Sequence, residues 1–148
     1  MHVEEVAAIA VDCGINVHKK LGPGLLESVY EAVLEASFVR RGLRVERQKP
    51  IPIEFEGMHL GDGFRADLLV EEKLIIEIKS TERLAPVHGK QLLTYLRLAR
   101  QPVGLLMNFG GETFREGLQR VVNNHTSFAP SRLRVNQPRS AAGTGPKE

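Results

Sequence analysis

Two apolar, β-rich runs at residues 64–70 and 74–79 lie only Glu71-Glu72-Lys73 apart, and this spacing constrains the chain more than any other feature in it. A three-residue charged connection suits an antiparallel pair, so these runs are the expected central strands. Each carries charge where a buried strand ordinarily has none: Asp67 in the first, Glu77 and Lys79 in the second. Side chains alternate faces along a strand, so Glu77 and Lys79 point one way while Ile76 and Ile78 enter the opposite layer. The two charges stand about 7 Å apart along the strand. If Asp67 projects to the same face from the neighbouring strand, two carboxylates converge beside one ammonium.

The rest of the chain supplies a frame for that pair. Val6, Ala7, Ile9, Ala10, Cys13 and Val17 recur at helical spacing over 3–20, and Leu21-Gly22-Pro23-Gly24 stops the helix. A second helix is expected over 25–41, with Leu26, Val29, Val33, Leu34 and Phe38 on one face and Gly42 ending it. Val45, Ile51, Ile53 and Phe55 then alternate with polar residues up to a Glu56-Gly57 turn, which reads as a first strand or hairpin. Pro86 suits the start of a third helix carrying Val87, Leu92, Leu93, Leu96 and Leu98, and 103–109 form a further apolar strand. Phe114, Leu118, Val121 and Val122 fit a helix over 114–122, although Gly117 weakens it. The expected order is ααβββαβ, a single α/β domain over 1–128. Residues 129–148 mix Pro, Gly, Ser, Ala and Arg with almost no apolar content and are expected to form a disordered basic tail.

Phosphodiester hydrolysis explains why such residues should meet. Mg²⁺ prefers oxygen ligands and keeps several waters, so Asp67, Glu77 and the backbone carbonyl of Ile78 suit it, with room left for water and phosphate. Lys79 would orient the nucleophile and stabilise developing negative charge. The bland alternative is an ordinary surface ion pair between Glu77 and Lys79 on an edge strand, and an isolated Glu-X-Lys favours it.

Further residues shift that balance. Gly24-Leu-Leu-Glu27-Ser-Val-Tyr30 puts Glu27, Tyr30 and Glu31 on one helix face, and Gln91 and Tyr95 are likewise four apart on a helix. With these motifs the sequence resembles, over residues 5–125, the GxxExxY proteins, a RecB-like branch of the PD-(D/E)XK nuclease superfamily. The resemblance implies a restriction-endonuclease-like core, a small mixed central sheet flanked by helices in the order αβββαβ. It further implies a Mg²⁺- or Mn²⁺-dependent deoxyribonuclease acting in repair, recombination or defence. Asp67 then matches the motif aspartate, Glu77 and Lys79 the (D/E)XK pair, and Glu27 the acidic residue of the first core helix. Gln91 and Tyr95 look like the QxxxY motif near DNA, and His18 matches, more loosely, a metal-binding histidine ahead of the glutamate helix. Ala66 stands where the pattern has proline.

Other readings stay open for several residues. His18 suits packing or capping as well as a metal, and Tyr30 suits a partly buried anchor as well as a substrate contact. Arg65 is a candidate phosphate ligand only on a regular strand, Asp62 is first a turn residue, His88 is expected in solvent, and Cys13 suits a core. The formal charge of +2 is unevenly placed: Arg132, Arg134, Arg139 and Lys147 against Glu148 put +3 after residue 128 and leave −1 before it. The expected domain is therefore no uniformly basic nucleic-acid binder. One cysteine excludes an internal disulfide and a cysteine-ligated metal cluster, and it fits a reducing cytoplasm. Acids near the N-terminus argue against a secretory signal, and no apolar run reaches the ~20 residues of a membrane span. A catalytically silent fold binding nucleic acid or a protein partner competes with the nuclease reading, and a homodimer spanning both DNA strands would use the third helix or a sheet edge.

Overall fold

A computed structural model describes residues 1–124; the tail expected over 129–148, and the domain boundary before it, lie outside the described residues. The elements are α1 (Val3–Leu21), α2 (Glu27–Arg40), β1 (Val45–Phe55), β2 (Met58–Val70), β3 (Leu74–Lys79), α3 (Pro86–Ala99), β4 (Val103–Asn108), α4 (Phe114–Gly117) and β5 (Leu118–Val122). They form a five-stranded mixed sheet in chain order, β1-β2-β3-β4-β5. Only β3 and β4 run parallel, joined by the α3 crossover.

Local chemistry sets the helix ends. The His2 ring accepts from the Glu4 N–H while Glu5 accepts from the His2 N–H, a reciprocal cap that opens α1. At its other end Gly22, with φ of 71°, donates its N–H to the His18 carbonyl. No helix of the described residues is long and apolar enough to cross a membrane.

The sheet separates two cores. Helices α1 and α2 cover one face, where Val6, Ala10, Val17, Leu34 and Phe38 meet Leu68, Ile76, Ile78 and Met107. Helix α3 covers the other, where Leu92 and Leu96 meet Ala66, Leu69, Ile75 and Leu106. Strand β3 thus alternates between layers, which leaves Glu77 and Lys79 on the α3 side of the sheet.

Two expectations need correction. The buried stripe of α2 is Tyr30, Glu31, Leu34 and Phe38, whereas Leu26 is 73% exposed and Val29 is also in solvent. An i, i+4, i+8 row wins because it faces the sheet squarely, and Leu26 lies outside the helix as its N-cap. Over 114–122 the chain makes one helical turn and then a strand. Thr113 caps that turn, and β5 pairs antiparallel with β4 from Met107↔Leu118 to Val103↔Val122. Free strand hydrogen bonds on β4 outweigh the helical spacing of four apolar residues, and Leu118 and Val121 pack into opposite layers.

Gly117 marks the switch. A Cβ there would come within 2.1 Å of the Asn108 carbonyl oxygen, so the residue is needed for close approach. Gly117→Ala is expected to cost about 2–3 kcal/mol through overpacking against main chain. Urea denaturation checks this, and a loss below about 0.5 kcal/mol would contradict the close approach.

Candidate active site

The β2–β3 ladder runs from Val70↔Leu74 through Leu69↔Ile75 to Leu68↔Ile76. The next register position would pair Asp67 with Glu77, and there the ladder ends. Main-chain pairing gives way to reciprocal side-chain bonds. The Asp67 N–H donates to Glu77 Oε2 at 3.2 Å, and the Ile78 N–H donates to Asp67 Oδ2 at 2.8 Å. The strands therefore part where the two carboxylates stand, and each carboxylate satisfies a backbone donor of the opposite strand.

Electrostatics single out the same spot. Burial, followed by the Asp67 charge, pushes the Glu77 carboxyl up to about 8, with Lys79 opposing the shift and Glu27 adding to it. Asp67 is also raised, chiefly by burial, against the bonds it accepts from Ile78 and Gln48. The Tyr95 hydroxyl is raised by burial and then by the Glu77 and Asp67 charges. Two carboxylates, one ammonium and one phenol thus act on one another, and Glu27 reaches them from α2.

Loop contacts fix the rim. Glu27 Oε2 accepts from the Ser80 N–H at 3.3 Å, and Ser80 Oγ donates to the Leu25 carbonyl at 2.6 Å. This ties the start of α2 to the end of β3. Asn108 makes a paired amide contact with Thr81, holding the chain just beyond Lys79.

The remaining candidates fall in different places. Tyr30 is fully buried, stacks on Phe109 at 4.5 Å, donates its hydroxyl to the Gly22 carbonyl and accepts from the Leu25 N–H. It anchors the loop that leads into Glu27, and its burial favours the anchor reading of Tyr30 over a substrate contact. His18 is 7% exposed, with Nε2 bonded to the Gly111 carbonyl at 2.9 Å and its ring over Phe109. A carbonyl partner requires the proton on Nε2, so that nitrogen is not a ligand, and packing describes His18 better than metal binding. Tyr95 stacks on Phe64 with centroids 3.8 Å apart. Gln91 is exposed one helical turn before it. Arg65 is exposed and donates to the Gln48 carbonyl at 3.2 Å.

Sequence reasoning missed Gln48, Arg47 and the role of Glu31. Gln48 Nε2 donates to Glu31 Oε1 at 2.8 Å and to Asp67 Oδ1 at 3.2 Å, and Arg47 Nε donates to Glu31 Oε2 at 2.9 Å. Nothing in the alternation of β1 marks Gln48, since its left-handed backbone, φ of 50°, has no signature in a glutamine.

Among the described residues no three His, Cys, Asp or Glu side chains converge as a metal-holding group. Asp67 and Glu77 still fit a hard divalent cation in donor type. They are oxygen donors, half buried together, and Glu77 retains a proton that a cation would displace. Water and phosphate would have to complete the shell, as suits Mg²⁺.

Comparison with curated proteins and with solved structures gives no match. A family pattern matches residues 4–121, most of the chain, and takes in every strand but the last residue of β5. The mixed sheet, the flanking helices and that match agree: the chain belongs to the PD-(D/E)XK nuclease superfamily.

Proposed function

We propose that the protein hydrolyses DNA phosphodiester bonds with the help of Mg²⁺ or Mn²⁺, as a RecB-like member of the GxxExxY branch. The observation that carries this reading is the opened ladder, where Asp67 and Glu77 face each other within electrostatic reach of Lys79 and Glu27. Asp67, Glu77 and the Ile78 carbonyl would hold the cation, with Glu27 acting from the rim. When bound, such a cation supplies positive charge to the phosphate and makes a water more acidic.

The chain's own residues supply the rest. Glu77 gives up its proton as the cation enters, so loading becomes easier as pH rises toward 8. Lys79, two residues on along the same strand face, orients the attacking water and offsets charge on the phosphate oxygens. Tyr95 borders the carboxylates from α3, and with exposed Gln91 one turn before it suits the DNA backbone, with Arg65 a further phosphate contact. The branch assignment is supported by Gly24, Glu27 and Tyr30 in sequence and by the tie between their loop and the end of β3.

The test is cleavage of single-stranded, duplex and branched DNA with Mg²⁺ or Mn²⁺, comparing the wild type with Asp67→Ala and Lys79→Ala. Each substitution is expected to lower the rate at least about 100-fold, the scale of losing one charge-stabilising group. Wild-type protein that cleaves none of these substrates would overturn the proposal. DNA binding without cleavage would favour a catalytically silent module instead.

A further inference from the structure

Buried Glu31 and exposed Gln48 form a polar link beside the carboxylates that the reaction does not consume. We infer that Gln48 is the positioning residue for Asp67, setting that carboxylate against helix α2; the inference rests on the proposed use of Asp67 and deepens it.

The backbone makes the first case. Gln48 lies inside β1, between the register pairs Arg47↔Leu68 and Lys49↔Ala66, yet adopts φ of 50°. Non-glycine residues seldom hold that conformation, and least of all within a strand. Its result is visible in the side chain, which turns between two carboxylates of different elements. Nε2 meets Glu31 Oε1 at 2.8 Å and Asp67 Oδ1 at 3.2 Å. The conformer is also braced from outside, since Arg65 donates to the Gln48 carbonyl.

Chemistry makes the second case. Ionised carboxylates only accept hydrogen bonds, and a primary amide carries two donors on one nitrogen, so glutamine matches both neighbours at once. Asp67 is then held at both oxygens, Oδ1 by Gln48 and Oδ2 by the Ile78 N–H. Glu31 is 6% exposed and gripped on its other oxygen by Arg47, which makes it a fixed post. Because Glu31 and Glu27 belong to the same helix, Gln48 couples the Asp67 strand to the helix that presents Glu27. Gln48 acts through Asp67 and is not a catalytic residue.

Two variants of the full chain test this. Gln48→Gly accepts the backbone conformation and removes the amide; Gln48→Met keeps the length and removes the donors. In the metal-free protein, hydrogen exchange of the Ile78 amide is expected to accelerate about 10-fold in each, because its acceptor Asp67 loosens, while amides of the β1–β2 ladder away from residue 48 are unchanged. Mn²⁺ affinity by calorimetry, and kcat on DNA, are expected to fall about 10- to 100-fold, the usual cost of losing an outer partner of a ligand, with KM within about twofold. If either folded variant keeps wild-type Ile78 exchange and Mn²⁺ affinity, the inference is overturned; should one fail to fold, the other decides. A wild type that cleaves no DNA defeats the nuclease reading alone, since exchange and Mn²⁺ affinity still report on Gln48.

Discussion

Glu77→Gln is expected to give a protein that is more stable than the wild type at pH 9 and inactive as a nuclease. In the folded chain Glu77 keeps its proton to about pH 8, against 4.5 ordinarily, because burial and Asp67 disfavour its charge. The folded state therefore binds more protons than the unfolded state between those values, and stability falls as pH rises through that window. One pKa unit is worth about 1.4 kcal/mol, so the full shift sets a ceiling near 5 kcal/mol. Partial solvent access to Glu77 reduces the expected gain to about 2 kcal/mol at pH 9. The amide keeps an oxygen to accept from the Asp67 N–H, so geometry is preserved while the charge is lost. Urea denaturation at pH 4, 7 and 9 without divalent cations should show the curves coinciding at pH 4 and diverging above it. Added Mn²⁺ should restore stability to the wild type alone. A wild type that remains the more stable protein at pH 9 would show that Glu77 is not strained by its charge.

The largest structural loss is expected from Phe109→Ala. Phe109 is fully buried just beyond β4 and stacks on Tyr30, on His18 and, at a tilt, on Phe114. Its N–H donates to the Lys79 carbonyl at 2.9 Å. One ring thus joins α1, α2 and α4 behind the residue that ends β3. Truncating a buried phenylalanine costs about 3–5 kcal/mol, and three aromatic neighbours put this site at the upper end. That is a large share of the stability of a domain this size. Chemical denaturation reads the loss, and a value below about 1 kcal/mol would remove Phe109 from its place as a hub.

How much of this was legible depended on whether the cause was local. The three-residue connection 71–73, the alternation of 74–79 and Pro86 each act within a few residues, and each led to the element observed. Strand β5 was not legible, because its apolar residues also satisfy helical spacing and the deciding partner is β4, with Gly117 read as a weakness when it is a point of close approach. The exposed Leu26 and Val29 show the same limit: a periodic stripe gives the presence of a face but not its rotation against the sheet. At the site, strand alternation put Glu77 and Lys79 on one face, yet the parting of β2 from β3 has no sequence marker. Gln48 was illegible for a related reason, since its left-handed conformation has no signature in a glutamine and its partners Glu31 and Asp67 lie far off in sequence.

Neighbouring strands in this sheet are also successive in the chain, so most of it can assemble as it is made. Helix α1 is the exception. Its Gly14 is filled by the ring of Phe114, and its Glu4 is gripped by Arg120 through two hydrogen bonds of 3.0 and 2.7 Å. Helix α1, the first described element, must therefore wait for β5, the last described one, before its seat is complete. Its apolar stripe meets α2 and the central strands earlier, but the seats of Gly14 and Glu4 stay open until Phe114 and Arg120 arrive, and that waiting period is when misassociation would fall.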